Sequence, residues 1–278
     1  MGIVVRPLTA AIGAEVEGVD LGAPLDADTR ATLHQAVLDH LVLFFQDQDI
    51  TPAQQLAFAE HFAPIMLPVI DTQSTEVPGV TVLDQTDPRG QYTERWHTDS
   101  TFLEEPPWGA VLRAVQLPPI GGDTCWASMY AAYEQLSAPM RRFLDGLTAE
   151  HSTSILDAVL DKLPNVVRRE RKPPVRHPVV RVHPETGRKL LFVNANFTDR
   201  IVDLDEAESR MLLGFLFNHL GKPHFQVRYH WTPNAVALWD NRPTQHCAMP
   251  DYRERRLMYR CMMQGDRPVG PVATAKDS

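Results

Sequence analysis

The chain has 278 residues, of which 44% are hydrophobic and 22% are charged, values that exclude a chain disordered throughout. Lys and Arg total 27 and Asp and Glu total 35, so the formal net charge is −8. That charge argues against a protein that binds nucleic acid or an anionic membrane surface. One large domain is expected at this length, and 23 prolines favour short elements joined by rigid loops over a helical bundle.

Capping signals predict where the helices begin. The expected caps are Asp26 or Asp28, Thr51, Ser128, Ser137 and Asp205. Thr51 is followed by Pro52 and Gln54, which is the pattern of a capping box with proline at the first helical position. The first helix should carry Leu33, Val37 and Leu41 on one face. The helices capped by Ser137 and Asp205 are expected to end at Gly146 and Gly221.

Short apolar or alternating runs between these helices predict strands. They cover residues 80–83, 110–117, 190–193, 225–231, 235–239 and 256–261. Strands therefore dominate the second half of the chain. The predicted fold class is α+β with a mainly β core, built as a sandwich or barrel with peripheral helices.

Cysteine usage and the termini bear on the compartment. The three cysteines, Cys125, Cys247 and Cys261, are widely spaced and odd in number, so a disulfide framework is not expected and a reducing cytoplasm is predicted. Residues 1–7 lack the basic and apolar regions of a signal peptide. The longest apolar runs, such as residues 41–45, are far shorter than the roughly 20 residues of a membrane helix.

A candidate metal site begins in the string RWHTD at residues 95–99. If this string is extended, His97 and Asp99 point to the same side, because side chains two residues apart share a face. A second histidine would complete the two-histidine, one-carboxylate set that binds Fe(II), and His246 follows a predicted strand. The residues alone leave other interpretations open, because HxD pairs are common and His246 could be a hydrogen-bonded turn residue.

Two arginines suggest a site for anions. Arg256 and Arg260 are four residues apart on a predicted strand and so share a face, while Leu257, Tyr259 and Cys261 point to the other. A buried guanidinium needs an anionic partner. Two surface salt bridges would also explain the pattern. The alternative is a pocket for two anions, one a dicarboxylate cosubstrate and the other a substrate.

Seven strings in order resemble a known family over about residues 3–266. They are AIGAEVEGVDLGAPL, WHTDSTF at 96–102, GGDTCWASMYAAYEQLS at 121–137, HPVVRVHPETG at 177–187, FVNANFTDRIVDL at 192–204, VALWDNRPTQH at 236–246 and RRLMYR at 255–260. The chain thus resembles the taurine dioxygenase and 2,4-dichlorophenoxyacetate dioxygenase family, whose members depend on Fe(II) and 2-oxoglutarate. The resemblance implies a double-stranded β-helix, or jelly-roll, with helices packed outside.

The resemblance also implies roles for individual residues. His97, Asp99 and His246 match the iron ligands, and Thr124 and Arg256 match the residues that hold 2-oxoglutarate. The expected reaction consumes O2 and 2-oxoglutarate, releases succinate and CO2, and hydroxylates a C–H bond. The presence of Asp99 favours hydroxylation over halogenation, because related halogenases lack this carboxylate.

The substrate pocket departs from the taurine dioxygenase pattern. Arg260 matches the arginine that binds the sulfonate of taurine, and Phe197 is retained. The family usually has His, Tyr, Asn and Phe where this chain has Leu67, Ile70, Thr93 and Thr153. Losing polar contacts should make taurine a poor substrate, since each is worth about 1.5–3 kcal/mol. An alkyl sulfonate or alkyl sulfate ester more apolar than taurine should fit better.

Other functions and the wider organisation stay open at this point. An aryloxyalkanoate or carboxylate oxygenase, a hydroxylase that tailors a biosynthetic intermediate, and a non-catalytic jelly-roll binding protein are the alternatives. Residues 1–266 are expected to form one domain, with 267–278 as a flexible tail. The Arg- and Pro-rich stretch 152–178 is either a solvated loop or a mobile lid. A homodimer or homotetramer is expected from the resemblance.

Overall fold

A computed structural model of the chain describes residues 2–68, 75–88, 92–154, 157–158 and 173–272. Over these ranges the fold is α+β. The strands are β1 (Val4–Pro7), β2 (Ala14–Glu17), β3 (Val42–Phe45), β4 (Ile65–Met66), β5 (Thr81–Gln85), β6 (Gly109–Gln116), β7 (Thr124–Ser128), β8 (Thr148–His151), β9 (Val175–Pro178), β10 (Val180–Val182), β11 (Lys189–Leu191), β12 (Thr198–Ile201), β13 (Gln226–Tyr229), β14 (Val236–Asp240), β15 (Thr244–Ala248) and β16 (Arg256–Met263). The α-helices are α1 (Ala27–His40), α2 (Pro52–Glu60), α3 (Met129–Glu134), α4 (Ala138–Asp145) and α5 (Glu206–His219). None of these helices has the length and apolar character needed to cross a bilayer.

An eight-stranded sheet forms the centre of the molecule. Its strand order is β1-β2-β3-β14-β6-β16-β4, and β5 also pairs with β16. The central strands β3, β14, β6 and β16 pair antiparallel, and their apolar side chains alternate between the two faces. Side chains on one face pack with α1 and α2 in one core cluster, which includes Leu33, Phe58 and Leu238. The opposite face belongs to a second cluster, so the sheet is buried on both sides.

The second core cluster joins the large sheet to a small antiparallel sheet of order β13-β7-β15. The ring of Phe44 in β3 stacks on Tyr229 in β13 with 3.9 Å between centroids. Trp126 in β7 makes edge contacts with Phe44 at 5.4 Å and with Trp239 in β14 at 5.8 Å. These aromatic contacts hold β7 and β15 over the large sheet, and this arrangement positions the residues discussed below. Two further small sheets, β12-β8-β9 and β10-β11, complete the β structure.

The predicted helix caps are confirmed. The side chains of Asp26, Thr51, Ser128, Ser137 and Asp205 each accept a hydrogen bond from a backbone N–H in the first turn of the helix that follows. Asp26, not Asp28, begins α1. The prediction that Leu41 shares a helix face with Leu33 and Val37 was wrong. Leu41 follows the end of α1 with φ 67°, and it packs in one core cluster while Leu33 and Val37 pack in the other.

Two predicted segment boundaries need correction. Residues 175–178, the end of the predicted lid, form β9 and pair with β8. Residues 155–156 and 159–172 of that segment lie outside the described residues. In the predicted tail, the carbonyl of Val269 accepts a hydrogen bond from the N–H of Val182 at 2.8 Å, so this part is attached to the fold. Residues 273–278 are not among those described.

Gly109 lies at a close approach of two central strands. It pairs with Asp240 across β6 and β14, and a Cβ there would fall far inside contact distance of the backbone oxygen of Trp239. We expect Gly109→Ala to lower the free energy of unfolding by about 1–3 kcal/mol or more, because two paired strands would have to move apart. The midpoint of urea unfolding measures this effect.

Gly214 in α5 is the matched control for this substitution. An added Cβ there would meet no heavy atom within 4 Å. Gly214→Ala should therefore raise the free energy of unfolding by about 0.5–1 kcal/mol, the ordinary helix preference of alanine over glycine. Equal urea midpoints for Gly109→Ala and the parent protein would show that the strands can separate at no cost.

Candidate metal centre and active site

The segment around His97 pairs with β15 and brings the predicted ligands together. The N–H of His97 donates to the carbonyl of His246 at 3.0 Å, and the N–H of His246 donates to the carbonyl of His97 at 2.8 Å. This antiparallel bridge places the two imidazole rings 4.3 Å apart between centroids. With Asp99, they offer three ligand atoms that lie within 4.8 Å of one another, and all three residues are buried.

Both imidazoles are held in the neutral form that a metal requires. Nδ1 of His97 lies 2.7 Å from the carbonyl of Arg95, so Nδ1 carries the proton and Nε2 keeps its lone pair. Burial lowers the pKa of His97, although Asp99 and this hydrogen bond oppose the shift. Burial, with the neighbouring His97 ring, lowers the pKa of His246 to about 3. Both rings therefore favour the neutral form, with a single N–H, near neutral pH.

The three residues fit an Fe(II) ion. Each Nε2 atom lies 3.8 Å from an Asp99 oxygen, which is longer than a hydrogen bond. Nδ1 of His246 is buried and has no hydrogen-bond partner among the described residues. Two neutral imidazoles and one carboxylate therefore face each other with a net charge of −1. A divalent cation at their centre would neutralise this charge and satisfy all three lone pairs.

Arg260 is the cation closest to this cluster in the described structure. Its Nη1 lies 3.4 Å from both carboxylate oxygens of Asp99. Burial alone would raise the pKa of Asp99, but Arg260 and the two histidines lower it below its ordinary value. Nε of Arg260 is also buried, with no acceptor within the described ranges. The guanidinium can therefore accept a further anion beside Asp99.

A second buried arginine lies where β16 faces β7. Nε of Arg256 donates to the carbonyl of Gly122 at 2.9 Å, and its Nη2 donates to Oγ1 of Thr124 at 3.3 Å. Oγ1 of Thr124 also accepts a hydrogen bond from the indole of Trp231 at 3.0 Å. No carboxylate of the described chain forms an ion pair with Arg256, although burial lowers its pKa. Asp123 acts on Arg256 electrostatically but is not bonded to it. A buried guanidinium without a directly paired carboxylate among the described residues is suited to an anionic ligand, and the Thr124 hydroxyl can donate to the same anion.

The predicted substrate residues are placed less uniformly. Phe197 is buried, with its ring 5.2 Å from that of Phe102 in the segment after Asp99. Oγ1 of Thr93 is buried and has no hydrogen-bond partner among the residues described. Thr153 is partly buried and donates to Asp157 at 3.0 Å. Leu67 is 66% exposed, and Ile70 lies outside the described residues.

The sequence interpretation missed three residues that support the site. Asn241 bonds to the backbone of Asp99, Trp231 bonds to Thr124, and Gly122 receives the Arg256 side chain. Gly122 has φ +75°, and a Cβ there would lie 3.0 Å from Cδ of Arg256. The glycine pair before Asp123 and Thr124 could have indicated this close approach. Asn241 and Trp231 carry no comparable signal in a single sequence.

Comparisons with known proteins agree with this geometry. The family described as "Taurine catabolism dioxygenase TauD, TfdA family" matches residues 5–262. A Pseudomonas putida protein named alpha-ketoglutarate-dependent sulfate ester dioxygenase is 39% identical over 277 residues, which cover 96% of this chain and 91% of that protein. An alkylsulfatase of Acinetobacter baylyi is 35% identical over 278 residues, covering 95% of this chain and 86% of that protein. A crystal structure of a taurine dioxygenase from Burkholderia xenovorans superimposes with a TM-score of 0.82 at 40% identity, covering 98% of this chain and 94% of the other. The family resemblance predicted from the sequence is thus confirmed, and the chain belongs to the TauD/TfdA family of dioxygenases.

Proposed function

We propose that this enzyme hydroxylates a C–H bond of a small anionic substrate, and that this substrate is an alkyl sulfate ester or alkyl sulfonate more apolar than taurine. As a member of its family the enzyme uses Fe(II), 2-oxoglutarate and O2. The observation that carries the proposal is the buried cluster of His97, Asp99 and His246, with an incompletely paired arginine beside it.

The structure supports a division of roles among these residues. His97, Asp99 and His246 would hold Fe(II), which with 2-oxoglutarate and O2 supplies the oxidising power and yields succinate and CO2. Arg256 and Thr124 would bind the distal carboxylate of 2-oxoglutarate, because both present donors at the same buried place. The enclosing sheets would exclude water from this region.

Arg260 would bind the anionic group of the substrate. It is close enough to Asp99 that a substrate bound to it would lie next to the metal, and its Nε has no acceptor among the described residues. The buried hydroxyl of Thr93 could serve as a second donor, and Phe197 offers an apolar wall. Leu67, Ile70 and Thr153 are proposed to line the remaining pocket.

The names of the similar proteins support the same substrate class. One acts on sulfate esters and another is an alkylsulfatase. Hydroxylation of the carbon next to the ester oxygen gives a product that breaks its C–O bond, forming an aldehyde and releasing sulfate. With a sulfonate, the same step breaks a C–S bond and releases sulfite. Aryloxyalkanoate oxygenation and tailoring hydroxylation remain alternatives that a substrate panel can test.

We also propose the finer organisation of the chain. The large sheet and the β13-β7-β15 sheet, packed face to face, support a double-stranded β-helix in one domain. The three cysteines are unpaired, which is in keeping with a reducing cytoplasm. The dimer or tetramer, and the lid predicted at residues 152–178, of which 175–178 form β9, stay predictions.

The first prediction from the proposed function concerns assembly of the metal site. Addition of Fe(II) and 2-oxoglutarate without oxygen should produce a visible charge-transfer band, and His97→Ala should remove it, because one of three ligands is lost. Absorption spectroscopy under anaerobic conditions measures the band.

His219→Ala provides the control for loss of a buried histidine. His219 lies in α5 and its Nε2 donates to the carbonyl of Ala132 at 2.8 Å, so the band should survive this change. A parent protein that shows no band, and forms no succinate with any substrate, would disprove the proposed function.

The second prediction concerns substrate choice. In a panel of taurine, longer alkyl sulfonates, alkyl sulfate esters and aryloxy acids, kcat/KM should be at least about 10-fold lower for taurine than for the best alkyl sulfate ester. The physical reason is that Leu67 and Ile70 offer no polar contact to the amine and sulfonate of taurine. Succinate formation provides the measurement, and taurine as the best substrate would contradict the proposed pocket.

The third prediction concerns Arg260. Arg260→Gln should lower kcat/KM for the preferred anionic substrate by about 10–100-fold, the loss expected for one charge-assisted contact. The anaerobic band should remain, because Arg256 is proposed to hold 2-oxoglutarate. Arg255→Gln is the matched control, since Arg255 is exposed and pairs with Asp84 at 2.7 Å. Equal losses in the two variants would argue against a substrate role for Arg260.

A further inference from the structure

The side chain of Asn241 joins the turn after β14 to the backbone of Asp99. Its Oδ1 accepts a hydrogen bond from the N–H of Asp99 at 2.9 Å. Its Nδ2 donates to the carbonyl of Asp99 at 3.1 Å and to that of Pro107 at 3.3 Å. The orientation of the amide is unambiguous, because one neighbour is a donor and the other two are acceptors. Asn241 is 1% exposed, so these bonds are shielded from water.

Asn241 bonds to Asp99 at the point where the chain changes direction. The next residue, Ser100, has φ 53°, a left-handed conformation that costs a residue with a side chain roughly 1–2 kcal/mol. The bonds from Asn241 hold the N–H and the carbonyl on either side of the Asp99 Cα. They therefore fix the direction in which the Asp99 side chain leaves the backbone and help to offset the cost at Ser100.

The turn that carries Asn241 is itself held by a buried ion pair. Asp240 accepts hydrogen bonds from Nη2 of Arg242 at 2.7 Å and from Nε2 of His183 at 2.9 Å. Arg242 also donates to Glu185 at 2.7 Å. Asp240 and Arg242 thus bind on one side of the turn, while the residue between them points to Asp99. Because these bonds fix the turn, the side-chain amide of Asn241 has little freedom to move if Asp99 is displaced.

Further hydrogen bonds hold the segment of residues 97–99 at its first two residues. The backbone of His97 pairs with His246, and Oγ1 of Thr98 donates to the carbonyl of Thr244 at 2.7 Å. The bonds from Asn241 extend this attachment by one residue, to Asp99. The segment that carries Asp99 is thereby bonded to residues 240–246, which also carry the ligand His246.

We propose that Asn241 is a positioning residue for the metal site, which sets the Asp99 carboxylate at the distance from His97 and His246 that Fe(II) requires. This inference rests on the metal ligands of the proposed function. It predicts that loss of the Asn241 amide reduces the affinity for metal by more than it reduces the free energy of unfolding. A purely structural role predicts the reverse, a less stable protein whose folded fraction binds metal normally.

Metal affinity measured without turnover separates these two roles. The dissociation constant for Fe(II) would be determined anaerobically, with Mn(II) as a redox-inert check, in the absence of 2-oxoglutarate. Asn241→Ala should raise this constant by about 10–100-fold, the range seen when a partner of a metal ligand is removed. The charge-transfer band with 2-oxoglutarate should shift or broaden in the folded protein, because Asp99 would adopt several positions.

Asn241→Asp tests the two N–H donors without a change of side-chain size. It keeps the acceptor for the Asp99 N–H but sets an oxygen against two carbonyls, so metal affinity should fall here as well. This variant keeps the inference testable if the alanine variant does not fold.

Gln48→Ala is the matched control for removing an amide clamp. Its Oε1 accepts from the N–H of Leu21 at 2.9 Å, and its Nε2 donates to the carbonyls of Val19 at 3.3 Å and Gln46 at 2.9 Å. It should lower the stability of the metal-free protein but leave the Fe(II) dissociation constant within about 2-fold of the parent value.

The outcomes distinguish failure of the inference from failure of the proposed function. If the parent binds Fe(II) tightly and the folded Asn241 variants bind it equally well with an unchanged band, the positioning role is wrong. Equal weakening in Gln48→Ala and Asn241→Ala would also overturn it, since loss of stability alone would explain both. If the parent itself binds neither Fe(II) nor Mn(II), the metal site of the proposed function fails.

Discussion

A buried carboxylate requires a compensating charge, and at Asp99 the protein supplies that charge only at long range. Its neighbours are two histidines that burial keeps neutral and one arginine at 3.4 Å. The arginine alone is a long and imperfect partner for the carboxylate. A divalent cation would bind Asp99 and both imidazoles at once, and it would leave Arg260 available for a second anion. The same buried charge would therefore account both for the metal and for the proposed position of the substrate anion.

Positive charge is needed locally because the net charge of the whole chain has the same sign as the charge of the proposed ligands. The formal charge of the chain is −8, while 2-oxoglutarate and the proposed substrate are both anions. Arg256 and Arg260 of β16 supply the opposing charge, and residues four apart on a strand are separated by roughly 13 Å along it. That spacing suits two ligands on either side of a metal better than one ligand bound twice. Both arginines lie in a strand paired on two sides, so their spacing cannot relax.

The sequence was sufficient for elements whose signals are local. The caps at Thr51 and Asp205 have all their hydrogen-bonding groups within four residues; the capping box predicted at Thr51 is present, and the cap predicted at Asp205 is also a capping box. The two arginines of β16 could be assigned to one face from the period of a strand. Leu41 was misplaced because a helix ends through backbone geometry, here φ 67°, that its apolar pattern does not encode. Asn241 was missed for a different reason: its partners, Asp99 and Pro107, are brought to it only by the folded sheet.

The placement of the residues suggests why chemistry and substrate choice can vary separately in this fold. His246, Thr124 and Arg256 lie in strands, and His97 is bonded to one, so sheet hydrogen bonds hold the metal and cosubstrate groups. By contrast, Leu67 and Thr153, which are proposed to line the pocket, lie in connecting segments, where a substitution would not disturb strand pairing. Arg260 is the exception, because among the proposed substrate residues that the structure describes it alone lies within a strand. On the proposed function, the requirement for an anionic substrate would therefore be built into the sheet, whereas the length and polarity of the rest of the substrate would be set by loops that can change at little cost to stability.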